Sequence, residues 1–113
     1  MYIKYNAMKV RVITEASISE YCTKNARATP SFHIFLQRIA NCDWKSVNDI
    51  KKDFPSADLV KNCENDRIVF DIGGNNYRII CDYNFYQHCC LYVAFIGTHT
   101  EYYTVDACTV QMY

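Results

Sequence analysis

Arg67-Ile68-Val69-Phe70-Asp71-Ile72-Gly73-Gly74-Asn75-Asn76-Tyr77-Arg78-Ile79-Ile80-Cys81-Asp82-Tyr83 reads as two strands joined by a turn. Residues 67–72 alternate, which puts Ile68, Phe70 and Ile72 on one face of a strand. Residues 73–76 are two glycines followed by two asparagines, the residue types that accept positive φ, so the chain reverses there. Residues 77–83 return with Tyr77, Ile79 and Cys81 on one side and Arg78, Ile80 and Asp82 on the other. After a second turn over residues 84–88, the nearly all-apolar run 89–96 has the composition of a central strand.

Upstream of this meander the period changes. Lys9-Val10-Arg11-Val12-Ile13 alternates and is β-branched, which predicts a first strand starting near Met8. From Glu15 the pattern turns helical, with Ile18, Tyr21 and Cys22 at i, i+3, i+4 and Thr14 as candidate cap. Thr29-Pro30 opens a second helix, because proline is tolerated in the first turn. Its apolar stripe is Phe32, Phe35, Leu36, Ile39 and Ala40, the pattern of a core-facing helix. Ser46-Val47-Asn48-Asp49 resembles a capping box and predicts a short helical turn, stopped by Phe54-Pro55-Ser56. The order β-α-α-(short helix)-β-β-β predicts an α+β architecture, with helices on one face of a mainly antiparallel sheet. At 113 residues the expectation is one domain over 1–113, with residues 1–7 as a loose extension.

Composition narrows the function. Half the residues are apolar, and no apolar run approaches the roughly 20 residues that span a bilayer. The start Met1-Tyr2-Ile3-Lys4-Tyr5 has no apolar signal core, so a cytoplasmic protein is expected. The seven cysteines show neither a CxxC pair nor zinc spacing, so no metal site and reduced thiols are expected. Net charge is zero but segregated: residues 1–42 carry six Lys/Arg against two Glu, and residues 63–113 carry two Arg against six Asp/Glu. No P-loop or other nucleotide-cofactor motif is present, so no cofactor is expected.

The groups that can carry chemistry lie in the C-terminal half. Arg78 sits mid-strand among apolar neighbours, where a permanent charge is costly without a partner, and its fork of donors suits a phosphate. The bland alternative is an exposed strand residue or an ion pair with Asp71 or Asp82. His99 follows the last strand, in a loop position where functional groups collect, and histidine is the residue type most used as a general acid or base; Glu101 and Tyr102 follow closely. A carboxylate can orient an imidazole, and a phenol can stack on a base. The bland alternative for Tyr102 and Tyr103 is packing at a sheet edge. Lys51, Lys52 and Lys61 flank the Phe54-Pro55 turn as phosphate-positioning candidates or as solvated charges.

These segments together resemble a known family. Val10-Arg11-Val12-Ile13-Thr14, Asp43-Trp44, Lys51-Lys52-Asp53-Phe54-Pro55-Ser56-Ala57-Asp58, the 67–78 hairpin and Ile96-Gly97-Thr98-His99-Thr100-Glu101-Tyr102 look like the HigB-type toxins of the RelE/ParE-like superfamily. The resemblance covers about residues 8–107. It implies a RelE-like fold and an mRNA interferase that cuts messenger RNA on translating ribosomes. It also implies a HigA-type helix-turn-helix antitoxin as partner. Carried onto this chain, its site candidates are Lys51 or Lys52, Arg78, His99, Glu101 and Tyr102. The expected chemistry is metal-independent cleavage through the RNA 2′-hydroxyl, with Glu101 orienting His99. The acidic C-terminal half points to help from the ribosome. A ParE-like gyrase-inhibiting toxin and an inactive antitoxin-binding module are the alternatives.

Overall fold

The computed structural model describes residues 10–113. The expected extension over residues 1–7 and the Met8-Lys9 start of the first strand lie outside them. The elements are β1 (Val10–Val12), α1 (Glu15–Lys24), a 3-10 turn (Ala26–Ala28), α2 (Thr29–Ala40), α3 (Val47–Asp53), β2 (Asp58–Val60), β3 (Arg67–Ile72), β4 (Tyr77–Asn84), β5 (Cys89–Thr98) and α4 (His99–Tyr102). They build one five-stranded sheet in the order β1-β5-β4-β3-β2. β2 to β5 run antiparallel, and β1 lies parallel to β5, from which three helices and three strands separate it in the chain. The α+β architecture with helices on one sheet face is therefore the one the sequence predicts. Two elements differ from that reading. β2 was not expected, because three half-exposed residues are too short to show alternation. Residues 99–102 form a helical turn where a loop was expected.

The helix-side face holds the main core. Ile68, Phe70, Ile79, Leu91 and Val93 meet Ile18, Phe32, Phe35, Ile39, Trp44, Ile50 and Phe54. Phe70 is its hub: Phe35 and Phe54 approach it edge-on with centroids 5.2 Å away, and Trp44 stacks on it at 6.2 Å. The expected helix caps are replaced by longer-range bonds. The Thr14 hydroxyl accepts the Val93 N–H (2.7 Å), and the Asp49 carboxylate accepts the Lys45 N–H (2.8 Å).

The opposite face carries a smaller cluster of Val69, Ile80 and Phe95, covered by Tyr102, Val105, Ala107 and Val110. A bulge lets this face form. The β4–β5 register jumps from Ile80↔Phe95 to Cys81↔Val93, leaving Ala94 outside the ladder. Leu91 and Val93 therefore face the helices together with Ile96, while Phe95 faces the tail. Ala94 then accepts the Met112 N–H at 2.8 Å, which fastens the tail to β5.

A buried arginine locks the other end of the tail. Arg67 is 2% exposed. Its Nε lies 2.7 Å from Asp82 Oδ1, and its two terminal nitrogens donate to the carbonyls of Ala107 and Val110 and to Gln111 Oε1, at 2.8–2.9 Å. Full pairing is what makes a buried guanidinium tolerable. Beside it, Cys63 and Cys108 form a disulfide, Cα atoms 5.2 Å apart, which corrects the expectation of reduced thiols throughout. The tail returns past the exit of β2, so two cysteines with no sequence spacing signal become neighbours. Cys81, Cys89 and Cys90 fall in apolar strand runs, where a thiol is expected to act as a small hydrophobe; all three are free, with Cys81 and Cys89 buried and Cys90 only partly so.

Candidate functional site

Arg78 lies on the tail-side face of β4, opposite Asp71 on β3 and Gly97 on β5. Its Nε is 2.7 Å from Asp71 Oδ1, an ion pair in which the N–H is not aligned for a hydrogen bond. Nη2 donates to Asn75 Oδ1 at 3.3 Å. The guanidinium carbon stands 4.8 Å from the Tyr102 ring centroid and 5.9 Å from that of Tyr103. Such cation–π contacts are worth about 0.5–2 kcal/mol, more as water is excluded. The side chain is only 15% exposed, so a permanent charge is held at a nearly dry surface with one edge of its fork uncommitted.

α4 brings the other groups to this guanidinium. Thr98 and Glu101 form a capping box: the Thr98 hydroxyl accepts the Glu101 N–H (3.1 Å), and the Glu101 carboxylate accepts the Thr98 N–H (2.8 Å). The His99 N–H donates to the Asn76 carbonyl at 3.0 Å, tying α4 to the β3–β4 loop. Tyr102 then packs edge-on against Phe95, and Tyr103 against His99, with ring centroids 6.4 and 5.0 Å apart. His99 Nδ1 is buried without a hydrogen-bond partner among the described residues. Gly97 makes room for all of this. A Cβ there would stand 2.6 Å from the Phe95 ring and 3.0 Å from Glu101 Oε1.

Arg78, His99 and Tyr102 are thus gathered, joined by Tyr103. Glu101 is adjacent, but its carboxylate is occupied by the cap and forms no hydrogen bond or ion pair with His99 among the described residues. The signal for that role is the Thr98-x-x-Glu101 spacing itself, read in the sequence as chemistry. Lys51 is a clamp of the α3–β2 loop, donating to the Ala57 and Pro55 carbonyls. Lys52 is exposed on the last turn of α3, without an ion pair among the described residues. Lys61 lies past the Val60↔Arg67 pair, four β3 residues from the Asp71↔Arg78 pair, roughly 13 Å along the strand. Among the described residues, no three His, Cys, Asp or Glu side chains converge as a metal-binding set. Asp71, Asn75 and Tyr103 complete the cluster and were not singled out as site residues in the sequence. The sequence offers Asp71 as one of two ion-pair partners for Arg78 and strand register selects it, while the β3–β4 loop and α4 geometry reveal Asn75 and Tyr103.

Residues 28–105, the span that contains this cluster, match the family model described as HigB_toxin, the RelE-like toxic component of a toxin–antitoxin system. The chain belongs to the HigB toxin family. Among curated proteins, an mRNA interferase HigB from Escherichia coli O6:H1 (strain CFT073) is 29% identical over 93 residues, covering 82% of this chain and 88% of that protein. The HigB family model takes in α2, α3, the whole antiparallel meander and α4, and ends where the tail begins to cover the sheet. Arg78, His99 and Tyr102 lie inside it. The Arg67 clamp on residues 107–111 and the Cys63–Cys108 disulfide reach beyond it. No helix among the described residues is long and apolar enough to cross a membrane.

Proposed function

We propose that this chain is the endoribonuclease toxin of its toxin–antitoxin pair, cutting mRNA in the cytoplasm on translating ribosomes without a metal ion. The observation that carries the reading is the Arg78 guanidinium held against Tyr102 and Tyr103, with the His99 ring packed against Tyr103. The similarity to an mRNA interferase HigB supports it. In the proposed step, His99 takes the proton of the 2′-hydroxyl. The 2′-oxygen attacks the adjacent phosphorus, the bond from phosphorus to the 5′-oxygen breaks, and a proton returns to that leaving oxygen. The products are a 2′,3′-cyclic phosphate and a 5′-hydroxyl. Arg78 offers its free edge to the charge that builds on the phosphorane oxygens, the usual task of a preorganised donor. Tyr102 and Tyr103 supply faces for a base. Glu101 serves by holding α4, and so His99 and Tyr102, in place. Lys52 is the lysine free to meet a neighbouring phosphate. The partner that silences the toxin is a HigA-type helix-turn-helix antitoxin.

A translation-coupled RNA-cleavage assay tests this reading. Arg78→Ala is expected to slow cleavage about 10²–10³-fold, the scale of losing one electrostatic donor, and His99→Ala to abolish most of it. Equal cleavage by wild type and both variants rejects the site. Loss of DNA supercoiling with mRNA left intact would favour a gyrase inhibitor on the same fold.

A further inference from the structure

Next to the β3–β4 loop, a depression of about 530 Å³ is lined by Arg27, Ser31, Asn76, Tyr77 and Thr98. It adjoins the candidate site through two of those residues. Thr98 directly precedes His99, and the Asn76 carbonyl is the one that accepts the His99 N–H. The depression is within the size range of sites that hold a nucleotide-sized ligand. Its lining offers a guanidinium, two aliphatic hydroxyls, a carboxamide and a phenol, and no acidic side chain. That set selects for an anion with several acceptor oxygens.

Arg27 is the decisive group. It is exposed and has neither an ion pair nor a side-chain hydrogen bond among the described residues. Three other arginines are engaged: Arg38 with the Asp53 carbonyl, Arg67 with Asp82 and the tail, Arg78 with Asp71 and Asn75. Arg11 lines a different hollow, with Val10 and Gln37. The backbone that carries Arg27 is pinned, because its 3-10 turn ends in the fully buried Ala28. Gly73 packs against Ser31 so closely that an added Cβ would meet its hydroxyl at 2.7 Å, which keeps the loop and α2 together as one wall.

We propose that this depression is a second phosphate subsite, in which Arg27 binds the backbone phosphate neighbouring the one at Arg78 and His99 in a single-stranded RNA. The inference rests on the nuclease reading and adds a residue to it. With one phosphate at each site, the strand crosses the β3–β4 loop and its register over His99 is set from both sides.

Binding of a short single-stranded oligoribonucleotide, measured by fluorescence anisotropy across a salt series in a His99→Ala background, tests it. Adding Arg27→Ala is expected to weaken binding roughly tenfold and to flatten the salt dependence by about 0.7 in log–log slope, the share of one single-strand phosphate contact. Arg27→Lys should restore most of the slope, and circular dichroism should show an unchanged fold. Replacing one linkage beside the cleavage position by an uncharged methylphosphonate should erase the difference that Arg27→Ala makes to binding. Unchanged affinity and slope in Arg27→Ala, while Arg78→Ala weakens binding, overturn the subsite and leave the nuclease reading standing. A parent protein that binds no oligoribonucleotide even at low salt also overturns the subsite, and absence of ribosomal cleavage as well overturns both.

Discussion

The two faces of the sheet are built on opposite principles. Toward the helices, aromatic and aliphatic side chains interlock around Phe70, with charge only at the rim, where Arg38 lies over Phe54 and Asp53 accepts from Trp44. Toward the tail, a small apolar patch is ringed by Arg67, Arg78, Asp71 and Asp82, and each cation has its own carboxylate. The first face holds the chain together. The second is a surface on which charge has been made tolerable by pairing, and one of its two arginines keeps a donor edge open. The lesson is that one strand, β4, serves both: Ile79 and Cys81 point into the core while Arg78 stands at the candidate site.

The comparison breaks first at Phe70. Phe70→Ala should destabilise the fold by about 3–5 kcal/mol, read by urea unfolding, because three aromatic neighbours lose their hub. Arg78→Ala should do the reverse, with RNA cleavage down about 10²–10³-fold and an unfolding midpoint that moves little. If Arg78→Ala unfolds the protein as Phe70→Ala does, the division of labour between the faces is wrong.

Alkali should weaken the helix side selectively. Burial pushes the Cys89 thiol up to about 12 from 9.0, and that of Cys42 to about 11. Above pH 9 the unfolded chain releases these protons while the folded chain keeps them, so stability is full below pH 9 and declines until the folded groups ionise. At pH 10.5 the loss from Cys89 alone is about 2 kcal/mol relative to neutral pH. A denaturation midpoint that is flat from pH 7 to 10.5 would contradict this.

Much of the first face was legible in the sequence, and the second only in pieces. Period-2 alternation in residues 67–72 and the 3.6-residue stripe of Phe32, Phe35 and Ile39 name the core directly, because burial on one side leaves a periodic trace. Arg78 and His99 stand out by residue type. What pairs them does not. The bulge at Ala94, the choice of Asp71 over Asp82 as the partner of Arg78 and the Cys63–Cys108 bond are long-range or geometric facts with no local pattern, while the Thr98-x-x-Glu101 cap has a local pattern that reads equally as chemistry. Lys51 misled because a lysine that clamps carbonyls and a lysine that awaits phosphate look alike in a sequence.

Smaller changes sharpen the tail side. Gly97→Ala should cost about 1–3 kcal/mol and impair cleavage together, since the new methyl group collides with Phe95 and with the Glu101 carboxylate that caps α4. The smallest effect expected is that of Glu101→Gln. Glutamine can keep the capping box, so cleavage should fall less than about threefold; a loss of 10²-fold would show that the carboxylate handles a proton.

The proposed cleavage depends on a single oxygen, the 2′-hydroxyl of the RNA. An mRNA carrying one 2′-deoxy nucleotide at the cleaved position, translated in the presence of the toxin, tests it directly. The modified message should survive while the unmodified one yields a 2′,3′-cyclic phosphate and a 5′-hydroxyl. Cleavage of the deoxy-substituted message at that position would contradict it.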